Sequence, residues 1–421
     1  MNRKTISFLY RNTFILIAFL IPSAAYGLIW AVLLLTFICW IYFKDYTKIS
    51  SYVTQPQILW PLLLYTMVIG GFFFADDFHE SLSTLSTKLP ILVFPLVFGT
   101  ASVVNSSLIY KAGKSFVLSI FLFLAIALGY ALFDVFKSGQ QFISINGDIY
   151  YKFKSYGLTR VFENWHPTYV AMFANMAIAI LIDKYTNPYG KLSWAILIID
   201  FSLMLFFIIS IILLDSIIAL IAFIVLLVYF GMIFLSKYNF TFLSKTALFL
   251  FLCTAVGLLF YFNPLKTGKI ETLKDRGLTI TDKEGERNVL TIRLAKWDTH
   301  LFIIKKHLLF GTTEGDIKTI RREAYETKGY YNLAKLNYNA HNQFIEVLAT
   351  YGIVGFIFFL ALLFHPLFKK NYHPYFAPFL LVAITTFLTE TVLNRQQGIL
   401  GFMFLYALYT HSFPLKKKIE A

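Results

Sequence analysis

Apolar runs of about 17 to 25 residues recur along this 421-residue chain, the length of helix that crosses the hydrocarbon core of a bilayer. A segment in hydrocarbon has no water to satisfy its backbone, so each run must close its own hydrogen bonds as a helix. The expected fold class is an all-α polytopic membrane protein. Composition agrees: 58% of the residues are apolar, 19% are aromatic, and the mean hydropathy of +0.66 exceeds that of a soluble domain.

About twelve spans are predicted, at 6–24, 26–43, 57–75, 89–104, 115–136, 167–183, 192–213, 217–235, 246–262, 342–367, 375–390 and 397–413. The first run imitates a signal peptide, with basic residues, an apolar core and Ser23, Ala24 and Ala25 behind it. It continues to Phe43, however, so Pro22 and Gly27 are expected to fold it into a hairpin. Basic residues such as Arg3, Lys4, Arg11, Lys111, Lys114, Lys184, Lys237 and Lys416 fall on the tails and alternate loops. The positive-inside rule therefore puts both termini in the cytoplasm.

That topology divides the chain into spans one to nine over 1–262, a large external loop over 263–340, and spans ten to twelve with a cytoplasmic tail over 341–421. The loop is basic, and long translocated loops are exempt from the positive-inside rule. Its excess of positive charge suits an anionic substrate on the far side of the membrane and makes nucleic acid a poor partner. Cytoplasmic lysines, part of the formal net charge of +14, serve as anchors on lipid headgroups. Cys39 and Cys253 both fall inside predicted spans, so no disulfide framework is available.

Within the loop, Leu290, Leu294, Trp297, Leu301, Ile304 and Leu308 recur at spacings of four and three, the apolar stripe of an amphipathic helix. Arg293, Lys296, His300 and His307 share a neighbouring face. One reading is an interfacial anchor whose bases touch lipid headgroups. Another gives Arg293 a diphosphate, which a planar guanidinium can bridge, with Lys296 in support. Trp297 could stack on a sugar or simply pack.

Downstream, Gly311 and Gly315 bracket a turn before a charged helix, at whose start Asp316 reads as an N-cap or an acid. The stretch AHNQFIEVLATYGIVGF then carries His341 and Asn342 directly into a span, with Gly352 and Gly355 thinning one face of that helix. In NWHPTYV, His166 stands at the start of the sixth span. In TETVLNRQQG, Glu390, Arg395 and Gln396 lie between the last two. Polar groups at such depths pair or bind something: Glu390 and Arg395 can neutralise each other, and His166 can cap its own helix, but Arg293, His341, His166 and Arg395 all fall on the outer boundary and suggest one pocket.

Asp76 and Asp77 read as a solvated pair rather than a metal site, and Asp134, Asp200 and Asp215 as carboxylates near span ends. No GxxxxGK, HExxH, GxSxG or CxxC motif occurs, so neither metal nor cofactor is expected.

Taken together, the arginine four residues ahead of Trp297, GTTEGD and LNYNAHNQFIEVLATYGIVGF resemble the O-antigen ligase family, which includes O-antigen polymerases and protein O-oligosaccharyltransferases. The likeness is strongest over about 285–365 and extends to HPTY and LNRQQG, the forms of a Bacteroidetes-like branch. It implies a C-type, metal-independent, inverting glycosyltransferase of the bacterial inner membrane. Its donor is a glycan on undecaprenyl diphosphate, and its active face is periplasmic.

The family's essential histidine maps onto His341 and its arginine onto Arg293. The family's Ser-Arg pair is incomplete here, since Ser216 is followed by Ile217; Arg395 or Arg160 is expected to take that place on the diphosphate. An imidazole suits deprotonation of an acceptor hydroxyl near neutral pH. The acceptor is lipid A core for a ligase or a second lipid-linked glycan for a polymerase. A glycolipid flippase is the reading from a different class, though chemistry concentrated in one external loop, without inverted repeats, speaks for transfer.

Overall fold

The computed structural model describes residues 2–139, 150–162, 165–186, 193–237, 289–369 and 372–411, with isolated positions between 241 and 254. The expected span 246–262, Cys253 and the loop segment 263–288 lie largely or wholly outside them. Among the described residues all regular structure is helical. In chain order the helices are α1 (Arg3–Leu20), α2 (Tyr26–Tyr42), α3 (Ile49–Tyr52), α4 (Pro56–Phe74), α5 (Phe78–Lys88), α6 (Pro90–Thr100) and α7 (Ser106–Ser138). There follow α8 (Ser155–Thr159), α9 (Pro167–Thr186), α10 (Trp194–Leu213), α11 (Ile217–Lys237) and α12 (Val289–Lys306). The last five are α13 (Ile317–Thr327), α14 (Tyr331–Leu336), α15 (Gln343–Lys369), α16 (Phe376–Phe387) and α17 (Gln396–Tyr409).

Among the described residues seven segments are long and apolar enough to cross a membrane, namely Arg3–Ser23, Pro56–Phe74, Phe78–Thr100, Ser106–Ser138, Trp194–Leu213, Ile217–Lys237 and Gln343–Phe368. An eighth arises if Tyr26–Tyr42 and Asp45–Tyr52, bent by 75°, form one span. The protein is thus a multi-pass, all-α membrane protein. The last two expected spans correspond to shorter helices, α16 and α17, of 12 and 14 residues.

The described chain forms two compact units, and each is discontinuous in sequence. The first comprises 1–45, 101–265 and 373–386, the second 46–100, 266–372 and 387–421. In the first, the expected hairpin is present: α1 and α2 are joined by a turn at Ile21–Ser23 with Ala24 left-handed. Ser115 and Ser119 of α7 donate to the carbonyls of Ile15 and Phe19, which lets the long α7 lie against α1. Helix α9 is apolar nearly all round and buried accordingly, and Asn175 ties it to α11 through the Ala219 carbonyl at 2.8 Å. Asp200 is paired with Lys184 at 2.6 Å, and Asp134 with Lys152, so neither is a lone carboxylate.

In the second unit the external helices fold onto α15. Ile303 and Ile304 of α12, Ile317 and Ala324 of α13 and Ala349 of α15 form one cluster; Ala295, Tyr325, Leu333 and Ala334 form another. Gly352 does more than thin a face of α15. It has φ 64° and ψ −166°, a conformation almost confined to glycine, and it breaks the helix. The groups released there pair with the 308–313 turn: Ile353 and Val354 donate to the carbonyls of Leu308 and Leu309, while Thr312 and Thr313 donate to those of Ala349 and Thr350. Irregular backbone in a membrane helix is tolerated where protein satisfies it in this way.

Candidate functional site

The second unit brings Arg293, Lys296, Trp297, His341, Asn342 and Glu390 together. Their placement begins with α15. Asn342 caps it by accepting from the amides of Phe344 and Ile345 at 3.0 and 3.1 Å, and its own amide group donates to the Leu388 carbonyl at 3.1 Å. That bond links the start of α15 to the segment carrying Glu390.

The residues just ahead are held by side chains. The wholly buried Ala340 donates its N–H to Glu346 Oε2 at 2.8 Å, and its carbonyl accepts from Trp297 Nε1 at 3.0 Å. The amide of His341 donates to Asn339 Oδ1 at 3.1 Å, with His341 itself left-handed at φ 45°. A non-glycine residue in that region costs about 1–3 kcal/mol, offset here by these contacts. The strained backbone presents an imidazole that is 24% exposed, its Nδ1 3.5 Å from Glu390 Oε2.

Cations gather beside this pair. Lys296 is buried, with its Nζ 4.0 Å above the Tyr338 ring. Burial and the neighbouring Arg293 charge push its pKa down to about 8, against the pull of Glu390. Burial likewise lowers that of Arg293, opposed by Glu390, and the guanidinium makes no hydrogen bond or ion pair among the described residues. Arg395 is exposed at the start of α17 and is not paired with Glu390, whose carboxylate faces His341 instead. The arrangement sets an oriented imidazole near two basic groups that have no carboxylate partner at ion-pair distance among the described residues. Among the described residues no group of three or more His, Cys, Asp or Glu side chains could hold a metal.

On α12, Ile304 of the apolar stripe is buried while Leu290 and Leu301 are exposed, and Thr291, Ala295, Lys296, Thr299 and His300 are buried. Three expectations need correction. His300, expected among the phosphate-facing bases, is wholly buried; its Nδ1 lies 2.7 Å from the Lys296 carbonyl and its Nε2 3.4 Å from Glu346. The cause is a polar interior, centred on Glu346, that α12 helps to enclose. Asp316 occupies the N-cap position of α13 without capping it; Oδ1 accepts instead from the amides of Asp76 and Asp77, and Oδ2 from Thr313. Asp77 in turn caps α5 through the Glu80 amide, so it is not merely solvated.

His166 and Arg160 belong to the first unit. The His166 ring sits edge-on to Tyr156 at 5.4 Å and tilted against Tyr169 at 4.8 Å, and its carbonyl accepts from Tyr169 and Val170 at the start of α9. Arg160 is exposed at the end of α8.

Sequence reasoning missed Glu346 as the centre of the second unit. It is buried and meets Arg321 at 3.4 Å, Asn394 at 3.1 Å and the Ala340 amide, with His300 alongside. Arg321 is fixed in turn by the side chain and carbonyl of the left-handed Asn337, at 2.8 and 3.0 Å. The available signal was an acid four residues after Asn342 in an otherwise apolar run, a residue that a membrane helix keeps only when it is paired.

Residues 202–360 match the family described as O-antigen ligase. This interval contains Arg293, His341 and Glu346 and supports the O-antigen ligase family, a group of membrane glycosyltransferases of ligase and polymerase type. No curated protein matches the chain.

Proposed function

We propose that this chain, matched over residues 202–360 to the O-antigen ligase family, transfers a glycan from undecaprenyl diphosphate to an acceptor hydroxyl, as a ligase acting on lipid A core. The observation that supports this reading is a partly exposed imidazole backed by a carboxylate, beside two basic side chains that have no carboxylate partner at ion-pair distance among the described residues. A buried cation without a counter-ion is costly, and an anionic ligand offsets that cost.

In this scheme Arg293, assisted by Lys296 and Arg395, holds the diphosphate and stabilises the charge that builds on it as the glycosidic bond breaks. His341 takes the proton of the acceptor hydroxyl through Nε2, while Glu390 orients the ring from the Nδ1 side. A single displacement inverts the anomeric carbon. The diphosphate is already an activated leaving group, so the reaction needs neither nucleotide nor metal. Asn342 and Trp297 act as positioning residues, since their bonds hold the backbone on either side of His341. The site faces the periplasm, in the bacterial inner membrane, with both termini cytoplasmic.

The test supplies purified protein with undecaprenyl-diphosphate glycan and either lipid A core or a second lipid-linked glycan. Glycan on lipid A core is the expected product; lengthening of the lipid-linked glycan alone would make the enzyme a polymerase. Arg293→Ala is expected to lower the transfer rate about 10²-fold or more and to weaken donor binding. Unchanged donor binding in that variant would remove Arg293 from the diphosphate site.

Lys296 makes the donor site sensitive to pH. Below about pH 8 it is charged and attracts the diphosphate; as pH rises through that value it loses its proton and affinity falls. A donor titration from pH 6.5 to 9.5 should therefore show weakening at the alkaline end in the wild type. Lys296→Met should bind more weakly below about pH 8, converge with the wild type at the alkaline end and lack that limb, and an identical alkaline limb in the variant would assign it to another group.

A further inference from the structure

The second unit carries a polar cavity of about 240 Å³, open on one side to solvent, that the catalytic scheme leaves unused. It runs from α5 to Asn339 and Glu346. The charged groups around it are matched: Lys88 lies 3.3 Å from Glu314, Arg321 3.4 Å from Glu346, and Lys318 2.6 Å from Glu80. With three cations set against three carboxylates, the cavity has no net charge with which to select an ion.

What remains available is neutral and hydroxyl-like. The side-chain hydroxyls of Ser83 and Thr84, on the wall formed by α5, make no hydrogen bond among the described residues. Asn339 uses its carbonyl oxygen on the His341 amide, and its NH₂ group has no partner among the described residues. Free hydroxyls, an amide donor and carboxylate oxygens lining a space the size of one sugar ring are complementary to a neutral polyhydroxylated ligand, which both donates and accepts at each hydroxyl.

The cavity is also wired to the transfer site. Asn339 lines it while holding the His341 backbone, and Glu346 lines it while holding Ala340. A ligand bonded to the Asn339 amide would therefore steady the strained residue that carries the imidazole.

We propose that this cavity is a saccharide subsite that binds one neutral sugar residue of the glycan substrate next to His341. The assignment of that sugar to a substrate rests on the glycosyltransferase reading above; the binding itself does not.

The experiment uses the full-length protein in detergent and two probes. One is a set of oligosaccharides released by mild acid from the surface polysaccharide of the host cell, followed by saturation-transfer NMR. The other is sugar-free undecaprenyl diphosphate. Wild type should bind the neutral oligosaccharides, and the cavity-filling Thr84→Trp should weaken that binding about tenfold or more while leaving undecaprenyl diphosphate binding intact. If Thr84→Trp does not fold, the double variant Ser83→Ala/Thr84→Val decides, with an expected loss of about five- to tenfold for two hydrogen bonds.

Oligosaccharide binding that is absent in wild type, or equal to wild type in the folded variants, overturns the subsite, whatever the transfer assay shows. A clear preference for acidic oligosaccharides overturns its neutral character. Sugar binding that depends on Thr84, in a protein that forms no product with any acceptor, upholds the subsite and removes the glycosyltransferase reading instead.

Discussion

Replacing His341 by alanine is expected to lower glycan transfer about 10²- to 10⁴-fold, the range associated with loss of a general base, while undecaprenyl diphosphate still binds. The prediction separates chemistry from architecture. Trp297 and Glu346 hold the backbone groups of Ala340, and Asn342 caps α15, so removing the imidazole leaves these anchors in place. Alanine at φ 45° is itself strained, and His341→Asn, a side chain that tolerates the left-handed region, provides the control. Both variants should lose turnover and retain donor affinity. Wild-type turnover in His341→Asn would end the general-base scheme.

The second large effect concerns stability. A Cβ on residue 352 would lie 2.3 Å from the Leu309 carbonyl oxygen and 2.5 Å from the Phe310 nitrogen, both backbone atoms that cannot turn aside. The residue must also adopt φ 64° with ψ −166°. Gly352→Ala should therefore cost about 1–3 kcal/mol in backbone strain. Displacing the 308–313 turn should add a similar amount. The expected result is a melting temperature in detergent well below that of the wild type, with activity lost in parallel. Gly70→Ala is the matched control, since nothing lies within 4 Å of the position its Cβ would take. Equal melting of Gly352→Ala and wild type would mean that the break in α15 is dispensable.

The two candidates that stood out in the sequence, Arg293 and His341, both lie near Glu390 in the second unit. A stripe at helical spacing on α12 predicts which side is apolar, not which polar groups the protein buries. In the folded chain His300 is buried with its Nε2 3.4 Å from Glu346, and Leu301 is left exposed. Asp316 has the sequence position of a cap but finds two backbone amides across the α4–α5 turn, some 240 residues away in sequence. A local pattern carries no information about such a competitor.

What the sequence by itself determined is everything that depends on one segment meeting one solvent. Apolar runs must become helices in hydrocarbon because each has to satisfy its own backbone, and Asn342 caps α15 because its partners are the next residues along. The tertiary structure alone decided which distant groups share a low-dielectric interior. Glu346 draws in His300, Arg321, Asn394 and the Ala340 amide; Gly352 opens a helix so that a turn 40 residues upstream can complete its hydrogen bonds; and Glu390 comes to face His341 rather than Arg395. These pairings are long-range because buried charges and released backbone groups take the partner that packing brings to them, not the one that sequence places nearest.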